Sequence, residues 1–435
     1  MSRRTETGVA AVIFLIISLV AVSHQRAERV FGDGEQYHRM SWQFADRKAQ
    51  VTAEGPFVYR LATPWLAARI DPLLAPIIPE ALARAVEDAA GVKGVVPFYA
   101  INIVATLLAL LLLLAYLRCF LASPGLRLLL VVLWMAAWQA PTRHLYFNPV
   151  TTEPLFLVAL IAGLLIVERT RHWSAWHSAP AVAAAVVLAT LTRESGLLIA
   201  VAFIVSRQPV TLSRQRCRPE LVALVLPLLA GAAGLAFTHS VGVASNTYEV
   251  WSEPLAMIRS KPLYTWVLAW FFAFGPPVVA VILAAARPVR RFLADRPEMA
   301  VHLLLVGALA FVGGTDTERI LGWAAPVVLV LLGRAIAEWP PTLRWTPALV
   351  VPMAVVQVAS ARVLWPVPVG VDQAARTADL DLSWHSLAAV LDKFLVIDNY
   401  YANLWSYFGS RPVHGLILAG DLVFVLAVIV MVNRR

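Results

Sequence analysis

Twelve apolar stretches recur along the chain, at residues 8–24, 95–118, 126–140, 152–167, 179–191, 196–206, 220–239, 264–286, 299–312, 320–337, 346–365 and 413–433. A helix that crosses the hydrocarbon core of a bilayer needs about 20 predominantly apolar residues. In lipid the backbone must also satisfy its own hydrogen bonds. The pattern therefore predicts an all-α polytopic membrane protein of about twelve transmembrane helices, a single transmembrane domain over 1–435. Composition points the same way, with 60% of the 435 residues apolar and 14% charged, against about 45–50% and 25% in soluble domains. A soluble globular enzyme, a disordered chain and a fibrous one are excluded, and no room remains for a large separate aqueous domain.

The net charge of +9 acquires meaning once it is sorted by side, because short cytoplasmic loops collect Lys and Arg. With twelve spans and the N-terminus inside, the inner segments hold eighteen arginines, from Arg3 and Arg4 through Arg118, Arg127, Arg169, Arg171 and Arg207 to Arg434 and Arg435. The short outer loops hold five basic residues: Arg143, Arg193, Arg259, Lys261 and Arg319. This bias puts both termini in the cytoplasm of a plasma (inner) membrane protein. It also makes most of the surplus charge an insertion signal, which argues against a nucleic-acid partner. Cys119 and Cys217 then fall on the reducing side as free thiols. The first stretch has signal-peptide features, with Arg3 and Arg4 ahead of an apolar run and small residues near Ala21-Val22-Ser23; a retained anchor is expected. Only Thr192-Arg193-Glu194-Ser195 separates the fifth and sixth stretches, which are two spans or one broken helix, and the charge bias favours two.

Two outer segments are long, 25–94 and 366–412. In the first, 35–48 and 60–78 read as helices lying along the membrane surface, the second with Leu61, Trp65, Leu66, Ile70, Leu73 and Leu74 on its apolar face. Residues 384–395 of the other long segment give another such helix. There is no internal repeat, which counts against repeat-built transporter folds.

The informative polar clusters all fall on the outer face. Asp33 sits between Gly32 and Gly34, a suitable perch for a carboxylate that accepts a proton from a hydroxyl. With Gln36 it also reads as a capping box that opens the helix of 35–48. Arg60, Arg193 and Arg319 carry guanidinium forks suited to phosphate, although Arg193 has Glu194 beside it and Arg319 has Asp316 and Glu318. Arg143 belongs to the same outer set. Glu153, next to Pro154, suits the N-terminus of the fourth span. His38 and His144 have no zinc-site spacing, and no cofactor is called for, although Asp316 and Glu318 could hold a divalent cation with Asp33. Asp421 stands near the middle of the last span, where an acid is expensive; it is protonated, or hydrogen-bonded to a neighbouring helix, or part of a transporter or flippase for a lipid-linked or anionic substrate. Pro276-Pro277, Pro326 and Pro352 are expected to kink their spans.

In this order the features resemble the GT-C superfamily of integral membrane glycosyltransferases, the group that includes protein O-mannosyltransferases and aminoarabinose transferases. The resemblance rests on the topology of most of the chain and on short motifs: Asp33 followed by Tyr37, Tyr59-Arg60-Leu61-Ala62-Thr63-Pro64, Asn148 through Phe156, Thr192-Arg193-Glu194-Ser195-Gly196, and Glu318-Arg319-Ile320 ahead of Pro326. It implies inverting transfer of a sugar from a polyprenyl-phosphate donor to a hydroxyl of a lipid, glycan or protein acceptor outside the membrane. The catalytic base implied is Asp33 or Glu35, because the family's acidic pair stands here as Asp33-Gly34-Glu35. Tyr37, Arg60, Arg143, Glu153, Arg193, Asp316, Glu318 and Arg319 would bind substrate and phosphate. Membrane lipids are further partners.

Overall fold

The computed structural model describes residues 1–24, 33–137, 145, 148–211, 217–246, 256, 261–313, 317–339, 347–360, 406 and 411–433. Helix α1 (Arg3–His24) leads into a polar segment of α2 (Asp33–Ala45), strand β1 (Val51–Ala53), a 3-10 turn at Phe57–Tyr59, α3 (Ala62–Leu74) and α4 (Glu80–Ala90). The bundle continues with α5 (Val96–Leu117), α6 (Pro124–Ala136), α7 (Glu153–Arg169), α8 (Ala175–Thr192), α9 (Leu197–Thr211) and α10 (Cys217–Val241). After strand β2 (Gly242–Ala244) come α11 (Leu263–Phe274), α12 (Pro276–Ala284), α13 (Ala286–Asp295), α14 (Pro297–Val312), α15 (Thr317–Leu321), α16 (Ala325–Glu338), α17 (Pro347–Ser360) and α18 (Arg411–Asn433).

Every expected apolar stretch coincides with helix where it is described, yet length separates them. Among the described residues six helical runs are long and apolar enough to cross a membrane, or seven if α11 and α12 count as one bent span. The shorter ones, such as α6, α9 and α14, have 13, 15 and 16 residues, below the roughly 20 of a full crossing. The count of twelve is therefore not reached on length and hydropathy. The kink expected at Pro276-Pro277 is a 99° bend. It turns on Gly275, whose φ of 87° favours glycine and whose missing Cβ leaves room for the side chain of Gln357.

The fifth and sixth stretches are two antiparallel legs and not one broken helix. Arg207, near the end of α9, donates to the carbonyls of Thr170, Arg171 and Trp173 and to Ser178 Oγ near the start of α8. The turn between the legs is tight enough that a Cβ on Gly196 would stand 2.6 Å from the Thr190 amide nitrogen.

Ion pairs gather at both ends of the bundle. At one end Glu6 of α1, 1% exposed, meets Arg118 at 2.9 Å and Arg127 at 2.6 Å. At the same end Glu168 pairs with Arg296 and Glu298 with Arg171. Ala10 and Phe14 of α1 are part of the main core, so the first helix is packed into the bundle. At the other end α2 packs on α3, and α3 on α5 and α8. Helices are present over most of 35–48 and 60–78, as α2 and α3. The buried face of α3 is formed by Leu61, Thr63, Pro64 and Ala67, while Trp65 and Leu73 are exposed. The all-α expectation is amended by one parallel strand pair, β1 on β2, with Val51 opposite Gly242 and Ala53 opposite Ala244. The Gly55 N–H donates to Asn246 Oδ1 at 2.8 Å alongside, so the first polar segment is clasped to the end of α10. The segment 366–412 and its helix at 384–395 lie outside the described residues, apart from Ser406 and the start of α18.

Candidate functional site

Asp33 is the first residue of α2, and helical geometry decides which of the two candidate bases faces inward. Two residues on a helix are about 200° apart, and Glu35 accordingly points to the exposed side while the Asp33 side chain is 14% exposed. Its carboxylate meets Arg319 of α15, with Nη1 3.1 Å from Oδ2. Tyr37, one turn on and therefore on the same face, is fully buried, and its hydroxyl accepts from Arg60 Nη1 at 2.9 Å. Gln36 does not close the expected capping box: its Oε1 accepts from the Glu54 N–H at 3.1 Å.

Arg60 follows the 3-10 turn and reaches the hairpin between α8 and α9, where its Nε lies 3.4 Å from Glu194 Oε2. Arg193, in the same hairpin, turns the other way. It forms an ion pair at 2.8 Å with Glu153, the first residue of α7, and both side chains are 3% exposed. The pair is out of hydrogen-bond alignment, so Nε and Nη2 of Arg193 have no hydrogen-bond acceptor among the described residues. Trp323 closes the pair: its indole N–H donates to Glu153 Oε1, and the Arg193 guanidinium lies over its ring, 5.2 Å from the centroid. Beside Arg319, Glu318 is fully buried and accepts from the Ser406 N–H at 2.6 Å. Lys261, also buried, donates to Thr317 Oγ1 at 3.0 Å and to the Ala310 carbonyl at 3.2 Å, which fixes the start of α15.

Charge sets the character of the cluster. Burial pushes the Asp33 carboxyl up, but Arg319, Arg193 and Arg60 outweigh it and hold the group below the ordinary aspartate range. Burial pushes Arg60 down, and Glu194, Tyr37 and Asp33 more than reverse that. Arg193 goes the other way. Burial, together with the like charges of Arg60 and Arg319, outweighs Glu153 and leaves its guanidinium below the usual value, though still a cation.

Of the residues singled out in the sequence, Asp33, Tyr37, Arg60, Glu153, Arg193, Glu318 and Arg319 come together at one end of the bundle. Glu35 does not join them, and Arg143 and Asp316 lie outside the described residues. Among the described residues Arg193 pairs with Glu153 and its neighbour Glu194 with Arg60, in place of the local Arg193–Glu194 pair, and Arg319 has a long-range partner in Asp33. No group of three His, Cys, Asp or Glu suited to a metal occurs among the described residues. Of the suggested cation set, Asp33 is engaged by Arg319 and Glu318 by the Ser406 backbone. Asp421 is half-buried on α18, which packs chiefly on α11 and α12, and its Oδ2 has no hydrogen-bond partner among the described residues, so the expected bond to a neighbouring helix is absent there. Trp323 and Lys261 were not legible as site residues. Trp323 sits in an apolar run, and Lys261 was one loop charge among several.

No family model matches the sequence, and no curated protein does. Among solved structures, a variant of the arabinofuranosyltransferase AftD from Mycobacteria, determined by single-particle cryo-EM, is similar with a TM-score of 0.45 and 15% identity. The alignment covers 87% of this chain and 30% of that one, so the chain spans less than a third of that protein's length.

Proposed function

We propose that the protein is an inverting glycosyltransferase that moves a sugar from a polyprenyl-phosphate donor to an acceptor hydroxyl at the extracytoplasmic face of the inner membrane. The observation that carries the reading is a carboxylate, Asp33, set among three guanidinia at one end of an apolar bundle. One of these, Arg193, is buried and has two nitrogens without hydrogen-bond acceptors among the described residues. Such donors suit phosphate oxygens.

In this reading Asp33 takes the proton of the acceptor hydroxyl as its oxygen bonds to the anomeric carbon from the face opposite the phosphate. The carbon–oxygen bond to phosphate breaks, and polyprenyl phosphate departs with the electron pair. Arg60, Arg193 and Arg319 steady that charge. The longest of the three ion pairs, Arg60 with the partly exposed Glu194, is the contact an incoming phosphate displaces. The guanidinia that hold Asp33 below its ordinary range are the ones a phosphate would neutralise, so donor binding raises the basicity of Asp33 when a base is needed. The opposite end, with Arg118, Arg127, Arg171, Arg207 and Arg296, is the cytoplasmic one. Both termini lie there, shorter helices complete twelve crossings, and 25–94 and 366–412 are the extracytoplasmic loops. Acceptors are lipid, glycan or protein hydroxyls. A transport reading has less support, because Asp421 has no charged partner among the described residues.

Purified protein given a labelled polyprenyl-phosphate sugar and a membrane extract should release polyprenyl phosphate. Asp33→Asn should abolish release with the fold intact. Full turnover in that variant would remove Asp33 as base, and sugar lipid recovered unchanged in the opposite leaflet would favour transport.

A further inference from the structure

A small cavity with a mixed polar and apolar lining lies among α5, α7, α14 and α16, and it admits about one water-sized molecule. Tyr116, Glu168, Glu298 and His302 line it. His302 is 1% exposed, and its Nε2 lies 3.1 Å from the Trp323 carbonyl oxygen. A carbonyl only accepts, so Nε2 carries the ring hydrogen and Nδ1 keeps a lone pair. That Nδ1 is buried and has no partner among the described residues. Glu298 is 5% exposed, with Oε1 taken by Arg171 and Oε2 buried without a partner among the described residues. His302 and Glu298 are four residues apart on α14 and so share a face, and both line this cavity.

The occupant that suits them is a neutral hydrogen-bond donor. Glu168 is already balanced by Arg296 and Glu298 by Arg171, so a cation would bring an uncompensated charge into the bundle. An anion would meet only acceptors at these two atoms. A water molecule has two hydrogens for the two acceptors, and its oxygen can accept from the hydroxyl of Tyr116, which lines the same space.

The position matters because of what His302 holds. The carbonyl of Trp323 belongs to the 3-10 turn Gly322–Ala324. The next i→i+3 bond would come from residue 326, which is proline and has no N–H. His302 supplies a donor to that carbonyl. On its other side the Trp323 indole N–H donates to Glu153, which pairs with Arg193. We infer that this cavity binds one water molecule between His302 Nδ1 and Glu298 Oε2, and that His302, oriented by it, is a positioning residue that sets Trp323 against Glu153. The inference concerns geometry and stands or falls independently of the glycosyltransferase reading.

Two measurements on the full chain test it. A high-resolution density map should show one peak about 2.6–3.2 Å from both atoms, unchanged when the protein is prepared in a thallium salt. No peak, or one that takes up thallium, overturns the water site. In protein labelled with 5-fluorotryptophan, the Trp323 fluorine resonance is identified by its loss in Trp323→Phe. It should shift in His302→Leu and return in His302→Gln, whose longer amide can donate to the same carbonyl. If the leucine variant does not fold, His302→Asn replaces it, since its shorter amide does not reach. A Trp323 resonance identical in the wild type and in the Leu or Asn variant overturns the positioning role.

Discussion

Replacing Glu153 by Gln removes one charge from a pair whose side chains are each 3% exposed, and the outcome depends on whether that pair behaves as buried. Exposed ion pairs contribute about 0–1 kcal/mol. Removing one partner of a buried pair costs about 3–5 kcal/mol, because the other charge is left uncompensated. Gln keeps an oxygen for the Trp323 indole N–H, so the loss isolates the charge. Arg193→Gln should cost a similar amount by leaving the carboxylate alone. The double variant removes both charges, and its cost should fall short of the sum of the singles by about 2 kcal/mol or more. Equilibrium unfolding of the four proteins in mixed detergent and denaturing-surfactant micelles measures this cycle. Single losses under about 1 kcal/mol that simply add would refute a buried pair. The double variant should also have no transferase activity even where its stability is largely recovered.

Glu6→Gln leaves Arg118 and Arg127 without their buried carboxylate and should destabilise the bundle by about 3 kcal/mol, with α1 becoming the first segment cut in limited proteolysis. Gly196→Ala places a Cβ 2.6 Å from the Thr190 amide nitrogen and should cost about 1–3 kcal/mol of overpacking, accompanied by loss of donor binding as Arg193 shifts. Asp33 has a folded value below its unfolded one of about 3.9. Its contribution to stability is therefore full above that pH and lost as pH falls through the folded value, so Asp33→Asn should flatten the acid limb of the stability curve below about pH 4. Burial pushes the His38 imidazole below its ordinary range, against the opposing pull of the Lys93 carbonyl and Glu87. The unfolded chain then binds more protons around and below its ordinary value of 6.5, and stability falls as pH drops through that window. Protection factors of the α2 amides, which divide out the intrinsic pH dependence of exchange, should fall from about pH 7 to about pH 5 in the wild type and not in His38→Gln.

The bundle was legible because lipid leaves few alternatives: an apolar run of sufficient length becomes helix, and the stretches from 8–24 to 413–433 all do where they are described. The residue types of the site were legible too, since a guanidinium at a tight turn such as Arg193 is costly unless it is paired or used. Partner choice was not. Sequence offered Glu194 to Arg193, but adjacent side chains diverge, and the hairpin sends Glu194 to Arg60 and Arg193 to Glu153. Arg319 finds Asp33 across 286 positions, a separation with no local signature. The strand pair β1–β2 is three residues long, too short to show a period of two. Trp323 and His302 were hidden because each is a polar function within an apolar helical context, where the default role is core.

Helix α7 explains how loops so distant in sequence hold a single arrangement. It carries Glu153 at one end and Glu168 at the other, 15 residues on, a rise of about 23 Å at roughly 1.5 Å per residue. Glu153 engages Arg193 and Trp323, while Glu168 engages Arg296 at the start of α14. Helix α14 then returns across the bundle through His302, which holds the Trp323 carbonyl, to Ala310, whose carbonyl accepts from Lys261. Lys261 in turn bonds Thr317, two residues before Arg319, the partner of Asp33. Each contact ties a loop residue to a helix already fixed by packing, so the geometry of the site is inherited from the bundle. A rigid frame of this kind suits a carboxylate whose basicity is to change on ligand binding while its position does not, since charge compensation acts through fixed distances.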